Sequence, residues 1–415
     1  MESKPKWNIR SSEAAKNTLN PIRMIVDGMK LEPNPKKQVI SLSIGDPTKF
    51  GNLPLDPSIA DAIHDVIDIY KNNGYAPSVG NEEARAAVAS YYSTNVSPLT
   101  SKDVILTSGC SGAINIAITV LCNPGDNILI PRPGFSLYRT VAGNIDIETR
   151  SYNLIPERNW EADLNQMEEL IDDRTKCIVV INPSNPCGSV YDKKHLMQIT
   201  KVAARHQLPI IADEIYAGMV FNGEEPPYIA DITTEVPVLS CGGTAKRFLA
   251  PGWRIGWILV HDRHNAFQAE VHRGLFQLTT KILGPCSIME AALPAILKNT
   301  PKSFFENTKK TLKENADILY SGFENIPGIT PIMPRGAMYM MCAVDVEHMP
   351  NIKDDMDFVQ KLMEEESVFC LPGKCFEYPN YMRVVLSIPK EKTQEAITRI
   401  EEFCKRHYTL NNGTS

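Results

Sequence analysis

What most constrains this chain is a set of short, nearly unbroken apolar runs at residues 104–106, 127–130, 177–181, 208–211, 236–239 and 255–260. A strand with one wet face alternates apolar and polar residues, whereas a continuous run suits a strand buried on both faces. Amphipathic stretches lie among the runs, with apolar residues recurring at three and four; 161–173 and 193–206 are the clearest. Such interleaving predicts an α/β fold, a mostly parallel central sheet with helices on both faces. Ligands in that architecture sit at the carboxyl ends of strands, so residues just after each run carry the functional expectation.

Composition narrows the class. Hydrophobic residues make up 43% and charged residues 22% of 415, a globular balance that suits two domains or one with an appendage. A formal net charge of −6 speaks against a nucleic-acid surface, which carries a basic stripe. Ten cysteines occur singly, without CxxC pairs, and read as reduced thiols of a cytoplasmic protein. The opening Met1-Glu-Ser-Lys-Pro-Lys-Trp7 has no apolar core for a secretory signal. No run reaches the roughly 18 apolar residues of a membrane span, so none is expected. Two triplets, Asn95-Val-Ser97 and Asn412-Gly-Thr414, match the glycosylation pattern and read as chance.

The pattern changes near residue 300. A long helical segment at 302–323 leads to strand candidates at 337–341 and 382–386 and a closing helix at 392–407. An isolated strand candidate at 40–44 is placed to join them. The expected organisation is an arm and part of a small domain at 1–48, a large domain at 49–300 and a smaller α+β domain at 301–415.

Chemistry gathers where the runs end. Thr107-Ser-Gly-Cys-Ser-Gly112 leads into an apolar helical stretch at 113–120. A small-residue turn feeding a helix exposes N–H groups beside the positive end of the helix dipole, a ready phosphate site. A plain tight turn has the same composition, and no Gly-Lys-Ser/Thr follows to make a P-loop. In Ile181-Asn-Pro-Ser-Asn-Pro-Cys-Gly188, Asn185 either presents its amide to a ligand or merely shapes a rigid turn. Ala212-Asp-Glu-Ile-Tyr216 puts two acids and a tyrosine after a buried strand. A carboxylate there is costly without a cationic partner, such as a protonated pyridine nitrogen; capping the next helix is the plainer use of Asp213.

Lys246 follows another run and a Gly242-Gly243 pair, with Arg254 eight residues on. Alone, Lys246 reads as a surface lysine; Schiff-base chemistry requires a desolvated or cation-rich pocket. Order is what lifts it: a Gly/Ser turn, Asn, Asp…Tyr and Lys…Arg, each at a predicted strand end. Arg383 sits in an apolar strand between Met382 and Val384. A guanidinium there wants a bidentate anion, either a substrate α-carboxylate or an internal salt bridge. His261-Asp-Arg-His264 is too sparse in ligands for a metal, and none is expected.

These residues, with Pro131-Arg-Pro-Gly-Phe-Ser-Leu-Tyr138, Pro251-Gly-Trp-Arg254 and Cys375-Phe-Glu-Tyr-Pro-Asn380, resemble the fold-type-I aminotransferases that use pyridoxal 5'-phosphate (PLP). The resemblance runs from Asn20-Pro-Ile-Arg23 to the final helix. It implies that Lys246 carries PLP as a Schiff base and shuttles the substrate α-proton. Asp213 would keep the pyridine nitrogen protonated, Tyr216 and Asn185 would hydrogen-bond the phenolate oxygen, and Phe135 would stack on the ring. Gly109, Cys110, Ser111 and Arg254 would hold the phosphate. Tyr75 would reach the partner's phosphate across a homodimer interface. Arg383 would fix the substrate carboxylate, with Asn185 and Gly45 beside it.

Two departures bear on specificity. Relatives often carry a serine or threonine immediately before the lysine or three before it; here Ala245 and Gly243 stand there, and Thr244 is left to supply a hydroxyl. Aspartate-specific relatives place an arginine where Lys281-Ile-Leu-Gly-Pro285 has Gly284. The implied reaction is therefore transamination of an aromatic or apolar L-amino acid, tyrosine foremost, with a 2-oxo acid such as 2-oxoglutarate or pyruvate. Arg23 is the candidate to bind a second carboxylate. Alanine or kynurenine aminotransferases and carbon–sulfur lyases would share the same cofactor residues. A non-catalytic regulatory module would need a DNA-binding segment, and no basic helix-turn-helix stretch precedes the domain.

Overall fold

The computed structural model describes residue 7 and residues 9–409; the stretch before Trp7 and the Asn412-Gly-Thr414 triplet lie outside the described residues. Strand β1 is Ile40–Ser41. Four strands follow: β2 (Val104–Ser108), β3 (Asn127–Arg132), β4 (Glu148–Ile155) and β5 (Glu161–Ala162). Another four, β6 (Thr175–Ile181), β7 (Ile210–Asp213), β8 (Val238–Gly243) and β9 (Ile255–His261), complete the large sheet. Their spatial order is β2-β9-β8-β7-β6-β3-β4-β5. Pairing is parallel from β8 through β7, β6 and β3 to β4, while β9 runs antiparallel to both neighbours and β5 antiparallel to β4.

The sheet is mostly parallel, as the apolar runs require, and all six runs contribute to it, those at 208–211 and 236–239 entering β7 and β8 at their third residue. Their continuity has a direct cause. Along β6, Cys177, Val179 and Ile181 enter one core while Ile178 and Val180 enter another. Both faces are covered, so every residue of the run is apolar. Strand β4 carried no such signal: only Tyr152 and Leu154 of its eight residues are buried, at alternate positions.

The stretch at 161–173 is not one helix. Residues 161–162 form edge strand β5, and the helix is only Leu164–Glu169, begun where the Asp163 side chain accepts the Asn165 and Gln166 N–H groups. The helix expected at 113–120 begins earlier, at Gly109, so the Gly-Cys-Ser turn becomes its first turn. Helix Lys193–Arg205 lies where its periodicity placed it.

A second sheet uses β10 (Ile329–Pro331), β11 (Tyr339–Val344), β13 (Leu371–Pro372) and β14 (Tyr381–Val385), in the order β10-β11-β14-β13. Helices Lys302–Phe323 and Lys390–His407 pack together beside it. Strand β12 (Val368–Phe369) pairs in parallel with β1, and the Val385 N–H bonds to the Leu42 carbonyl. The arm at 40–45 is thereby fixed to the small sheet. Helix Pro21–Gly28 packs its Ile22, Ile25 and Val26 against Leu371, Cys375 and Phe376. No helix among the described residues is long and apolar enough to cross a membrane.

Candidate active site

The carboxyl ends of β7 and β8, the start of helix Gly109–Leu121, the arm after β1 and the small sheet meet around a cavity of about 540 Å³. Every predicted site residue lines it except Gly109, Thr244 and Tyr75.

Asp213 ends β7 and is buried. Its Oδ2 accepts from the Tyr138 hydroxyl at 2.7 Å, and its Oδ1 from the Ile215 N–H at 3.3 Å and the Cys110 thiol at 3.7 Å. All three donors are neutral. Burial pushes the carboxyl up, and these bonds and the nearby Lys246 charge only partly offset it. A buried carboxylate so short of positive charge suits a protonated pyridine nitrogen. Glu214 has a different role: its Oε1 accepts the Ile229 N–H at 2.8 Å, and burial pushes it up to about 7.

At the helix start, Arg254 donates to the carbonyls of Pro251 at 3.0 Å and Ser108 at 3.3 Å. Both partners are neutral, so its charge stays available beside the first-turn N–H groups, as a phosphate requires. Gly109 makes this approach possible: its φ is +71°, and a Cβ there would lie 2.5 Å from Arg254 Nη2. Gly109 thus acts by its missing side chain, not as a cavity wall.

Lys246 donates from Nζ to the Gly45 carbonyl at 2.5 Å and sits 5.9 Å from the centre of the Tyr216 ring. The Tyr216 hydroxyl lies 2.9 Å from that of Tyr339. Arg383 is buried on β14, with Nη1 bonded to Asn185 Oδ1 at 3.0 Å and Nη2 to the Ser43 carbonyl at 2.6 Å. Its guanidinium lies 4.3 Å from the Tyr339 ring centre and 5.0 Å from that of Phe376. These partners carry no formal charge, and among the described residues Nε has no hydrogen-bond partner. A substrate carboxylate would meet both needs, whereas the internal salt-bridge alternative has no carboxylate here. Asn182, the other asparagine of the double Asn–Pro turn, instead closes that turn by accepting the Tyr191 N–H at 2.9 Å.

Two of the predicted residues stand apart from this cavity. Thr244 is buried behind the cavity, its N–H bonded to the Ile255 carbonyl and its hydroxyl without a partner, so it supplies no wall to the site. Tyr75 is 93% exposed and stands outside this chain's own cavity. Three residues escaped the sequence argument: Tyr138, Ser43 and Tyr339. Each lies in an apolar or small-residue stretch whose pattern reports burial, and only the polar tip of each tyrosine hinted at a partner.

The residues fit PLP: a cation and helix start for the phosphate, an acceptor for the ring nitrogen, an amine for the aldehyde, and Phe135 on the cavity wall. The family model for aminotransferase class I and II matches residues 37–400. The chain is 54% identical over 411 residues to tyrosine aminotransferase of Mus musculus, covering 99% of this chain and 90% of that protein. It is 48% identical to the tyrosine aminotransferase of Dictyostelium discoideum, covering 98% of each. The crystal structure of tyrosine aminotransferase from Leishmania infantum matches with a TM-score of 0.94 at 38% identity, over 98% of this chain and 100% of that one. The chain belongs to the class I and II aminotransferases, and its cofactor is PLP.

Proposed function

We propose that this site moves the amino group of an aromatic or apolar L-amino acid, tyrosine foremost, to a 2-oxo acid such as 2-oxoglutarate or pyruvate, in two half-reactions. One observation carries this reading: Lys246 and the buried Arg383 share a cavity with an apolar wall of Ile22, Val26, Phe369 and Leu371. Tyrosine aminotransferases among the similar proteins support the choice of donor.

PLP supplies, when bound, the carbonyl that takes the amino group and the electron-withdrawing ring that acidifies the α-carbon. Arg383 takes the α-carboxylate as a fork, with Asn185 holding the guanidinium in register. Lys246 Nζ, released from the Gly45 carbonyl, moves the proton at the substrate α-carbon. Asp213 would hold the ring-nitrogen proton, and Arg254 with the first-turn N–H groups would bind the phosphate. The apolar wall receives the side chain and excludes water. Arg23 on helix Pro21–Gly28 also lines the cavity, which suits the second carboxylate of 2-oxoglutarate.

Donor profiling tests the reading, with tyrosine, phenylalanine, alanine, aspartate and cystathionine against 2-oxoglutarate and pyruvate. Tyrosine is expected to give the highest kcat/KM. Preference for aspartate, or release of pyruvate and thiol from cystathionine as the main product, would overturn it.

The working unit in this reading is a homodimer. Gly284 lies against the carbonyls of Pro77 and Ser78, so exposed Ile282 and Leu283 neighbour the segment that carries Tyr75. Exposed apolar groups gathered this way suit an interface between copies. Light scattering should give twice the chain mass; a monomer that is fully active would refute it. A cytoplasmic location accords with ten unpaired cysteines, nine of them buried, and cell fractionation checks it.

A further inference from the structure

Strand β11 brings Tyr339 into the cavity from the small sheet. The side chain is buried and touches groups from three separate parts of the chain. Its hydroxyl meets Tyr216 of the large domain at 2.9 Å. A Cβ on Gly45 would fall 2.4 Å from that hydroxyl, so the arm packs directly on it. Its ring carries the Arg383 guanidinium at 4.3 Å, within cation–π range. Lys246 is bonded to the carbonyl of the same Gly45.

Resting on the transamination reading, we propose that Tyr339 is a positioning residue: its ring seats Arg383 for the substrate carboxylate, and its hydroxyl holds Tyr216 beside Lys246. Electrostatics agrees with the geometry. Burial is the largest influence on Tyr339 and works upward, yet the Lys246 and Arg383 charges and the bonds from Tyr216 and Lys246 bring the phenol below its ordinary value. Tyr216 goes the other way, pushed well up by burial, by Tyr339 and by Asp213, with Arg383 opposing. The two hydroxyls are 2.9 Å apart, and either can donate to the other. The ring face of Tyr339, 4.3 Å from the Arg383 guanidinium, favours that buried cation, whose hydrogen-bond partners carry no formal charge. The hydroxyl and the ring thus have separable roles.

Two variants separate them. Tyr339→Phe keeps the platform and removes the hydroxyl; Tyr339→Leu removes both. The Phe variant is expected to hold KM for tyrosine within about twofold while kcat falls on the order of tenfold. The Leu variant should also weaken binding of 3-phenylpropionate, an unreactive aromatic carboxylate, on the order of tenfold by calorimetry on the holoenzyme. Wild-type kcat in the Phe variant, or equal KM and calorimetric values in both variants, would overturn the assignment. If the unaltered enzyme transaminates no amino acid tested, the functional reading fails instead, and the calorimetric comparison still judges the Tyr339–Arg383 contact.

Discussion

The two halves of the site are built differently. The cofactor half stands on one sheet: Asp213 ends β7, Lys246 follows β8, and Arg254 precedes β9 beside the helix that follows β2. The substrate half is assembled from pieces far apart in sequence, with Ser43 and Gly45 on the arm, Asn185 on a turn, and Tyr339 and Arg383 on the small sheet. A rigid parallel sheet can fix a cofactor once and for all. The arm is fixed to the small sheet by backbone hydrogen bonds, and at the site this unit meets the large domain through the Tyr339–Tyr216 and Arg383–Asn185 contacts, so it is the half in which movement and specificity can be tuned.

Breaking each half should have a different signature. Lys246→Ala removes the group that both halves serve, and turnover of every amino donor should fall about 10⁴-fold. Borohydride reduction should then leave no cofactor attached to the variant, while it fixes PLP on Lys246 of the native enzyme; label on another lysine would refute the site. Next in size is Arg383→Leu, which should cost about 10²- to 10³-fold in kcat/KM for tyrosine and leave cofactor affinity unchanged. Arg254→Gln should do the reverse, weakening cofactor binding about tenfold with KM for tyrosine unaltered at saturating PLP. Matched losses of cofactor and substrate affinity in both variants would show that the halves are not separable.

The same contrast explains what was legible in the sequence. Strands buried on both faces leave continuous apolar runs, so β2, β3, β6, β7, β8 and β9 were visible, and the strand-end rule then pointed to Asp213, Asn185 and Lys246. Strand β4 was not, because burial of Tyr152 and Leu154 alone leaves a polar-looking stretch. Arg383 was visible only because a charge in an apolar strand needs a partner. Tyr339 was not: in Ala337-Met-Tyr-Met-Met341 a tyrosine looks like any core aromatic, and the partner of its hydroxyl lies 123 residues away. Thr244, two residues before Lys246, is buried with its hydroxyl unpartnered among the described residues, a burial that its place in sequence does not reveal.

The smallest effect comes from two adjacent acids with opposite tasks. Asp213 lines the cavity, whereas Glu214 accepts the Ile229 N–H and sits in a site where burial raises it to about 7. A carboxyl raised on folding binds its proton more tightly in the native state than in the unfolded chain. Its contribution to stability is therefore greatest at low pH, and declines as pH climbs from the ordinary glutamate value of 4.5 towards about 7. Glu214→Gln removes the titration while keeping an oxygen for Ile229. The native protein should lose on the order of 2 °C more in Tm than the variant between pH 5 and pH 8, read by thermal unfolding at fixed PLP. Parallel Tm–pH curves would mean that Glu214 titrates normally, and that the low-dielectric region behind β7 ends at Asp213.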